Sequence, residues 1–335
     1  RSFGEDPDAV AAHVRAFIEG AHSDPANKVL VTVKHFPGHG DTATDSHFGL
    51  GKVTGSRARL DSVELVPFKA AIAAGVDSVM TAHLAVEALE PDEVPATVSK
   101  RVLTGVLRKD LGFKGIISTD AMDMRGLTNM YPAGEAAVRA LEAGADVLLI
   151  PSDPRAAVAA VVAAVKQGRL KESRVDESVR KLLAAKARLG LHRKRTVDLE
   201  RLGESLDTGQ DNALAASVAQ HALTLVRNEG GVLPLKHPAS ACFYLLSGSR
   251  FSTLGRGLQD ELQQAISESR VRLLDPQLPE RVFNDLAEEA AKCDTVVVAA
   301  YVTATSYKGN VALPGRYPAF VSKIVASERP VVFIA

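Results

Sequence analysis

The sequence predicts an α/β protein in which βα units form a parallel sheet or barrel, followed by a second α/β domain of sandwich type. Two observations predict this fold class. Short apolar segments of β type alternate with longer helical patterns along the chain. The length of 335 residues exceeds one ordinary hydrophobic core and therefore indicates two domains.

Four apolar segments in the first half of the chain predict strands, at 29–33, 78–82, 115–119 and 146–150. Three of them run directly into a polar residue, which is Lys34, His83 or Asp120. Active sites of βα barrels lie at the carboxyl ends of the strands. We therefore expect these three side chains to converge on one face, although they are distant in sequence.

Helical patterns separate these strands, at 62–75, 99–111 and 134–144. Two of the patterns end on Gly75 and Gly144, and glycine is the residue that favours a helix C-cap. An Ala/Val-rich stretch at 153–186 continues the helical pattern, and we expect it to pack against the exterior of the barrel.

The domain boundaries follow from a change of pattern. The barrel domain is expected to span 1–190, and the polar segment 191–209, which has no clear period, is predicted to be a linker. The sandwich domain, 210–335, begins with a predicted helix at 213–222. Its predicted strands are 223–226, 243–246, 271–274, 295–301 and 331–334. The last is a buried-strand sequence that would leave an uncovered sheet edge, so we expect this domain to be incomplete at its C-terminal end.

The composition excludes several classes of protein. Hydrophobic residues make up 46% and charged residues 24%, which is typical of globular proteins. Lys and Arg total 40 and Asp and Glu total 40, so the chain carries no net charge that would indicate binding to nucleic acid or anionic lipid. No apolar run reaches the roughly 18 residues of a membrane span. A neutral ligand such as a sugar is consistent with this balance.

The two cysteines lie late in the chain beside apolar runs, at Cys242 and Cys293. We expect each to be a small buried core residue rather than half of a disulfide. They therefore give no indication of the compartment.

The densest polar cluster is the segment 34–47, Lys-His-Phe-Pro-Gly-His-Gly-Asp-Thr-Ala-Thr-Asp-Ser-His. Proline and glycine within it break regular structure, so it is predicted to be a loop that wraps a ligand. Three interpretations are open. The His and Asp side chains could supply the nitrogen and oxygen ligands of zinc, although the spacing is not of the HExxH type. They could instead hold the loop together, which we expect for His39.

The third interpretation pairs Asp45 with His47. A carboxylate that accepts the proton on one imidazole nitrogen fixes the tautomer and leaves the other nitrogen to exchange protons with a leaving group. The unperturbed imidazole pKa of about 6.5 suits this task at neutral pH.

A second constellation is the strand that ends at Asp120. A carboxylate at the end of a buried strand pays a desolvation cost, so it indicates either buried partners or a chemical role. Asp120 could attack an anomeric carbon as a nucleophile. Asp123 is its rival, but we expect Asp123 to lie in the following turn as a helix N-cap or a solvated side chain.

These residues resemble family 3 glycoside hydrolases, specifically the two-domain form of the bacterial β-N-acetylglucosaminidases of cell-wall recycling. The resemblance rests on several segments, which are 1–7, 34–47, 95–99, 107–113, 115–120, 222–229 and 231–235. The ending Asp-Ser-His at 45–47 is the specific feature, because other branches of the family use a glutamate elsewhere as the acid.

The resemblance implies a (β/α)8-type barrel followed by an α/β/α sandwich, and a retaining hydrolase that removes terminal β-linked N-acetylglucosamine without a cofactor. It implies that Asp120 is the nucleophile, His47 the acid/base and Asp45 its partner. The residues implied to bind the sugar hydroxyls are Arg1, Lys34 and His35. The implied substrates are N-acetylglucosaminides such as peptidoglycan or chitin fragments. For His83, by contrast, a structural hydrogen bond to a neighbour is expected rather than a sugar contact.

Two alternatives stay open. A histidine acid/base carries no negative charge when it is deprotonated, so it would repel an incoming phosphate less than glutamate would, and the enzyme could be a phosphorylase. The chain could also be a non-catalytic sugar-binding fragment. Only four strands are predicted where a closed barrel needs eight, so we expect this barrel to lack its first strands.

Overall fold

The computed structural model describes residues 3–25, 28–42, 44–200, 202–206, 208–266, 270–303 and 311–335. The chain divides into two compact units, Arg1–Val197 and Asp198–Ala335. The assignment of 191–209 as a linker between a catalytic barrel and a sandwich domain stays a prediction.

The first unit alternates short strands with helices. Its strands are β1 Thr32–Phe36, β2 Gly51–Val53, β3 Ser78–Thr81, β4 Leu84–Val86 and β5 Ile116–Ser118. Its α-helices are α1 Pro7–His22, α2 Arg57–Ser62, α3 Leu65–Ala73, α4 Arg125–Thr128, α5 Ala133–Ala143, α6 Pro154–Lys166 and α7 Glu172–Arg188. Short 3₁₀ and π-type helices cover Ala96–Val98 and Arg101–Asp110.

A parallel sheet in the order β1-β3-β5 forms the centre of this unit. Ser78 of β3 pairs with Thr32 of β1 on one side and with Ile116 of β5 on the other. Parallel strands β2 and β4 form a second pair. Helices cover the central sheet, and the largest apolar cluster contains Phe36, Val79 and Ile117 from its strands. The carboxyl ends of β1, β3 and β5 therefore meet at one edge, as the strand pattern predicts.

Two strand predictions need correction. The first strand begins at Thr32 and runs through Lys34 and His35, so these two residues lie within the strand rather than after it. The apolar run that misplaced it starts at Val29, which is 50% exposed.

The segment 146–150 does not form a strand, because only Val147 bridges to Ser118. The amide of Leu149 bonds instead to the Thr119 hydroxyl, which takes this segment out of the ladder.

The helix predictions are confirmed in outline, but the structure interrupts helices that the sequence pattern predicts to be continuous. Residues 62–75 contain α3, and the 153–186 stretch is divided into α6 and α7 around Gly168, whose φ is +74°. Helix α5 ends at Gly144 with φ +122°, which confirms the predicted glycine cap.

Two buried carboxylates, Asp77 and Asp146, tie the helices to the amino-terminal side of the sheet. Asp146 accepts hydrogen bonds from the Ile117 amide, the Ser178 hydroxyl and Arg108, at 3.0, 2.6 and 2.7 Å. Burial raises the pKa of Asp146, but these bonds and nearby cations outweigh it and hold the pKa below its ordinary value. Asp77 is bonded in the same way to His22, Arg188 and the Val31 amide. Neither network was predicted from the sequence.

The second unit is built on a parallel sheet in the order β7-β6-β8-β9. Its strands are β6 Cys242–Ser247, β7 Arg270–Leu274, β8 Val296–Tyr301 and β9 Val331–Ile334. Its helices are α8 Leu202–Ser205, α9 Gly209–Ala222, α10 Arg256–Ala265, α11 Glu280–Ala290 and α12 Tyr317–Val325. Phe283 of α11 and Phe320 of α12 pack in one apolar cluster, and Leu262 of α10 packs in the other. Helices on both faces of the sheet confirm the predicted α/β/α layering.

Two predictions for this unit are wrong. Residues 223–226 form no strand, and Leu223 and Val226 are 80% and 90% exposed. Cys242 and Cys293 are buried as expected, but the structure joins them in a disulfide. Their pairing depends on the approach of β6 to the segment before β8, which no local pattern shows. Across the described residues, no helix combines the length and the apolarity needed to cross a membrane.

Candidate active site

Asp120 lies at the carboxyl edge of the central sheet, two residues after β5 ends at Ser118. Its Oδ1 accepts the Ala121 amide at 2.8 Å, and its Oδ2 lies 3.6 Å from Nε2 of His35 on β1. The side chain is 15% exposed, so it is held by the protein and still reaches solvent. The structure thus brings Asp120 and His35 together from different strands.

His83 follows β3 and is completely buried. Its Nε2 lies 2.9 Å from the carbonyl oxygen of Ala121, and its Nδ1 lies 2.9 Å from the Thr97 hydroxyl. Burial lowers the pKa of His83, which favours the neutral ring. Because a carbonyl oxygen only accepts, Nε2 carries the proton and donates it to Ala121. The expected structural role of His83 is confirmed.

The loop after β1 is shaped by glycine and by internal hydrogen bonds. Gly38 has φ +131°, and its amide bonds to the His35 carbonyl at 2.8 Å. His39 bonds through Nδ1 to the Thr42 hydroxyl and through Nε2 to the Ser46 hydroxyl, at 2.7 and 3.1 Å. Both ring nitrogens of His39 therefore hold the loop, which confirms the expectation for this residue.

Asp45 and His47 form a hydrogen-bonded pair in this loop. His47 Nδ1 lies 2.7 Å from Asp45 Oδ1, and the same oxygen accepts the backbone amide of His47 at 3.0 Å. Burial raises the pKa of Asp45, but the hydrogen bonds from the amide and the ring of His47 outweigh it and lower the pKa below its ordinary value. An ionised carboxylate at Nδ1 fixes the proton there, so that Nε2 is the acceptor in the neutral ring.

A chain of contacts connects this pair to Asp120. The ring of His35, which lies beside Asp120, meets the ring of His39 edge to face with centroids 6.1 Å apart. His39 in turn bonds to Ser46, which stands between Asp45 and His47. The nucleophile and the acid/base predicted from the sequence therefore belong to one cluster.

The other predicted site residues have different surroundings. Lys34 is exposed on β1 and forms no ion pair within the described residues. Arg1 lies outside the described residues. Asp123 is exposed, as expected, and the N-cap of α4 is Met124 rather than Asp123.

Three residues that contact the site were not predicted from the sequence: Ser46 bonds to His39, Thr97 to His83, and the Gly126 amide to the Ser46 carbonyl. Ser46 was visible as the middle residue of the Asp-Ser-His triplet, whereas Thr97 and Gly126 reach the site through tertiary contacts. A search of the described residues finds no group of three or more His, Cys, Asp or Glu side chains placed to hold a metal ion.

Residues 1–185 match the family model described as the Glycosyl hydrolase family 3 N terminal domain. The chain therefore belongs to glycosyl hydrolase family 3, in agreement with the resemblance read from its motifs. This membership also supports the barrel-type class of the first unit, in which the described strands form an open three-stranded sheet and a separate pair.

Several relatives share this family. A Beta-N-acetylglucosaminidase/beta-glucosidase of Cellulomonas fimi is 33% identical over 269 residues, covering 77% of this chain and 47% of that protein. Beta-hexosaminidase A of Pseudoalteromonas piscicida is 30% identical over 330 residues, covering 90% of this chain and 52% of that protein. The chain thus spans about half the length of these curated relatives.

A solved structure of a family 3 beta-N-acetylglucosaminidase from Paenibacillus sp. str. FPU-7 has the same fold. It is 34% identical with a TM-score of 0.84, and the match covers 99% of this chain and 62% of that chain.

Proposed function

We propose that the protein is a retaining glycoside hydrolase that removes terminal β-linked N-acetylglucosamine. The observation that carries this proposal is the Asp45–His47 pair, 2.7 Å between Oδ1 and Nδ1, in one contact cluster with Asp120. Such a cluster supplies a carboxylate nucleophile and a separate proton donor, which are the two groups that retaining hydrolysis needs.

In the first step, Asp120 attacks the anomeric carbon and forms a glycosyl-aspartate, while the glycosidic bond breaks. His47 donates the proton from Nε2 to the departing oxygen. Asp45 remains ionised, because its pKa is lowered, and it stabilises the imidazolium that precedes this transfer. In the second step, neutral His47 accepts a proton from water, and the resulting hydroxide-like oxygen displaces Asp120 with a second inversion.

Lys34, His35 and Arg1 are proposed to bind the sugar hydroxyls. Fixed donors orient a neutral ligand that offers no charge of its own. His35 lies 3.6 Å from Asp120, so a sugar hydroxyl held by this ring would stand beside the nucleophile. The acetamido preference is supported by the names of the relatives, and peptidoglycan or chitin fragments are the proposed natural substrates.

The test compares Asp120→Asn with Asp123→Asn on an aryl β-N-acetylglucosaminide. We expect Asp120→Asn to lower kcat/KM by at least about 10³-fold, because the nucleophile is lost, while the exposed Asp123 should tolerate the change. A fluorinated substrate analogue whose glycosyl-enzyme decays slowly should add one sugar mass, located at Asp120 by peptide mapping. A fully active Asp120→Asn protein would contradict the proposal.

Product analysis separates the alternatives. Hydrolysis gives free N-acetylglucosamine at the same rate with and without phosphate, whereas sugar 1-phosphate as the main product would identify a phosphorylase. Sugar binding without turnover in the wild-type protein would identify a non-catalytic binding protein.

A further inference from the structure

Ser46, the middle residue of the Asp-Ser-His triplet, is anchored from two sides. It is 3% exposed, and its hydroxyl lies 3.1 Å from Nε2 of His39. Its carbonyl oxygen accepts the backbone amide of Gly126 at 3.1 Å. Ser46 is therefore one point at which the loop of the dyad is attached to the segment that follows Asp120.

Gly126 belongs to the segment that continues from Asp120 into α4. A Cβ atom at this position would lie 3.0 Å from the carbonyl oxygen of Ser46, 3.1 Å from that of Gly49 and 3.2 Å from Cβ of His83. These spacings are tighter than ordinary contacts, and two of the three atoms are backbone. The absence of a side chain at Gly126 thus permits the two backbones to approach this closely.

The residues around Ser46 are joined by hydrogen bonds into one turn. The Asp45 carbonyl accepts the amides of Phe48 and Gly49, at 2.9 and 3.3 Å, and closes a single turn over 45–49. The Asp45–His47 hydrogen bond lies inside this turn. A shift of Ser46 would consequently change the position of both dyad residues relative to Asp120 without breaking the bond between them.

From this geometry we infer that Gly126 is a positioning residue, which sets the spacing between the nucleophile and the acid/base through its contact with Ser46. The inference rests on the proposed function of Asp120 and His47. It assigns to Gly126 no contact with substrate. Its effect should appear mainly in proton transfer to the leaving group, because the two nearest atoms belong to the backbone of the dyad loop, whereas Asp120 follows β5 and also bonds to the Ala121 amide.

The test measures kcat/KM of Gly126→Ala on aryl N-acetylglucosaminides with poor and good leaving groups, phenol and 2,4-dinitrophenol. The added methyl must displace the loop by a few tenths of an ångström. We expect a loss of about 10-fold for the phenyl substrate, since misplacement by about 1 Å can cost on the order of 10²-fold. The dinitrophenyl substrate needs little protonation and should lose less than about threefold.

Two glycines provide matched controls. Gly20→Ala adds a methyl within α1, where nothing lies within 4 Å, and should leave both substrates unchanged. Gly134→Ala places a methyl 2.8 Å from Cβ of Ala160, in the contact between α5 and α6. It should lower the melting temperature without changing the ratio between the two substrates.

Ser46→Ala is the second variant, because it removes the bond to His39 without adding an atom. It should shift the ratio of kcat/KM between the two substrates in the same direction as Gly126→Ala. If Gly126→Ala fails to fold, this variant tests whether the position of Ser46 controls proton transfer. Equal losses for both leaving groups, or no loss in either variant, would overturn the positioning role while the hydrolase proposal stands. A wild-type protein inactive on every substrate would overturn both.

Discussion

Asp45 receives two hydrogen bonds on one carboxylate oxygen, Oδ1, and both come from His47: from Nδ1 at 2.7 Å and from the backbone amide at 3.0 Å. The two residues are separated only by Ser46, so the loop itself brings them into contact. The hydrogen bond from the backbone amide of His47 holds the Asp45 carboxylate in place, and this carboxylate then orients the imidazole ring. The pair therefore orients the imidazole through contacts that lie within the loop.

Replacing Asp45 by Asn tests this dependence. The asparagine can still accept the two bonds, but it carries no charge to stabilise the imidazolium, so kcat/KM should fall by about 10²-fold or more on poor leaving groups. The measurement is the steady-state rate on the phenyl N-acetylglucosaminide. Asp41→Asn, an exposed carboxylate in the same loop, should retain nearly full activity. Similar losses in the two variants would indicate a general disturbance of the loop.

His47→Ala should distinguish an acid catalyst from a residue that only supports the loop. A good leaving group departs without protonation, so the loss in kcat/KM should be smallest for 2,4-dinitrophenol and grow to about 10²–10⁴-fold for phenol. Plotting log kcat/KM against leaving-group pKa should give a steeper slope than for the wild type. An unchanged slope would argue against His47 as the acid.

His83 offers a test of how the segment of Asp120 is held in place. His83→Leu leaves the partly buried carbonyl of Ala121 without its donor, which should cost about 1–3 kcal/mol of unfolding free energy. Because Ala121 follows Asp120, its displacement should also move Asp120. The loss in kcat/KM should then be equal for all leaving groups, unlike the loss in His47→Ala. His83→Gln can still donate a hydrogen bond and should recover part of both losses. The measurements are urea unfolding and kcat/KM, and full activity in His83→Leu would exclude the positioning role.

The sequence predicted the parts of this site that depend on local order. Asp120 follows a short strand of apolar residues, and the Asp45–His47 contact spans only two positions, so both were visible in the pattern. Lys34 and His35 were placed after the strand although they lie within it, because the apolar run that precedes them starts at the exposed Val29, three positions before the strand begins. The family match then confirmed the resemblance that linked these segments.

The remainder depended on contacts between distant segments. Gly126 meets Ser46 from 80 positions away in the numbering, and its role follows from the space around it rather than from any pattern beside it. Asp146 looked like the start of an ordinary strand, whereas it is the centre of a buried ion-pair network. Cys242 and Cys293 were recognised as core residues, but their pairing requires the sheet order.

The network around Asp146 makes a prediction for stability. Its side chain is fully buried and faces Arg108, Arg174 and Lys181, whose side chains are 17%, 20% and 21% exposed. Asp146→Asn would leave these cations without their shared anion, and we expect the free energy of unfolding at pH 7 to fall by about 3–5 kcal/mol. Asp176→Asn, which breaks only an exposed pair with Arg180, should change it by less than about 1 kcal/mol.

The pH dependence of this difference checks its electrostatic origin. The pKa of Asp146 is lower in the folded protein than the ordinary value of 3.8, so its ionised form favours folding. This stabilisation is fully present above the unfolded-state pKa and is lost as the pH falls through the lower, folded-state pKa. Urea unfolding of wild type and Asp146→Asn should therefore differ by a constant amount from pH 7 to about 5 and converge below about 4. A difference that persists unchanged at pH 3 would mean that Asp146 stabilises the unit through packing and neutral hydrogen bonds rather than through its charge.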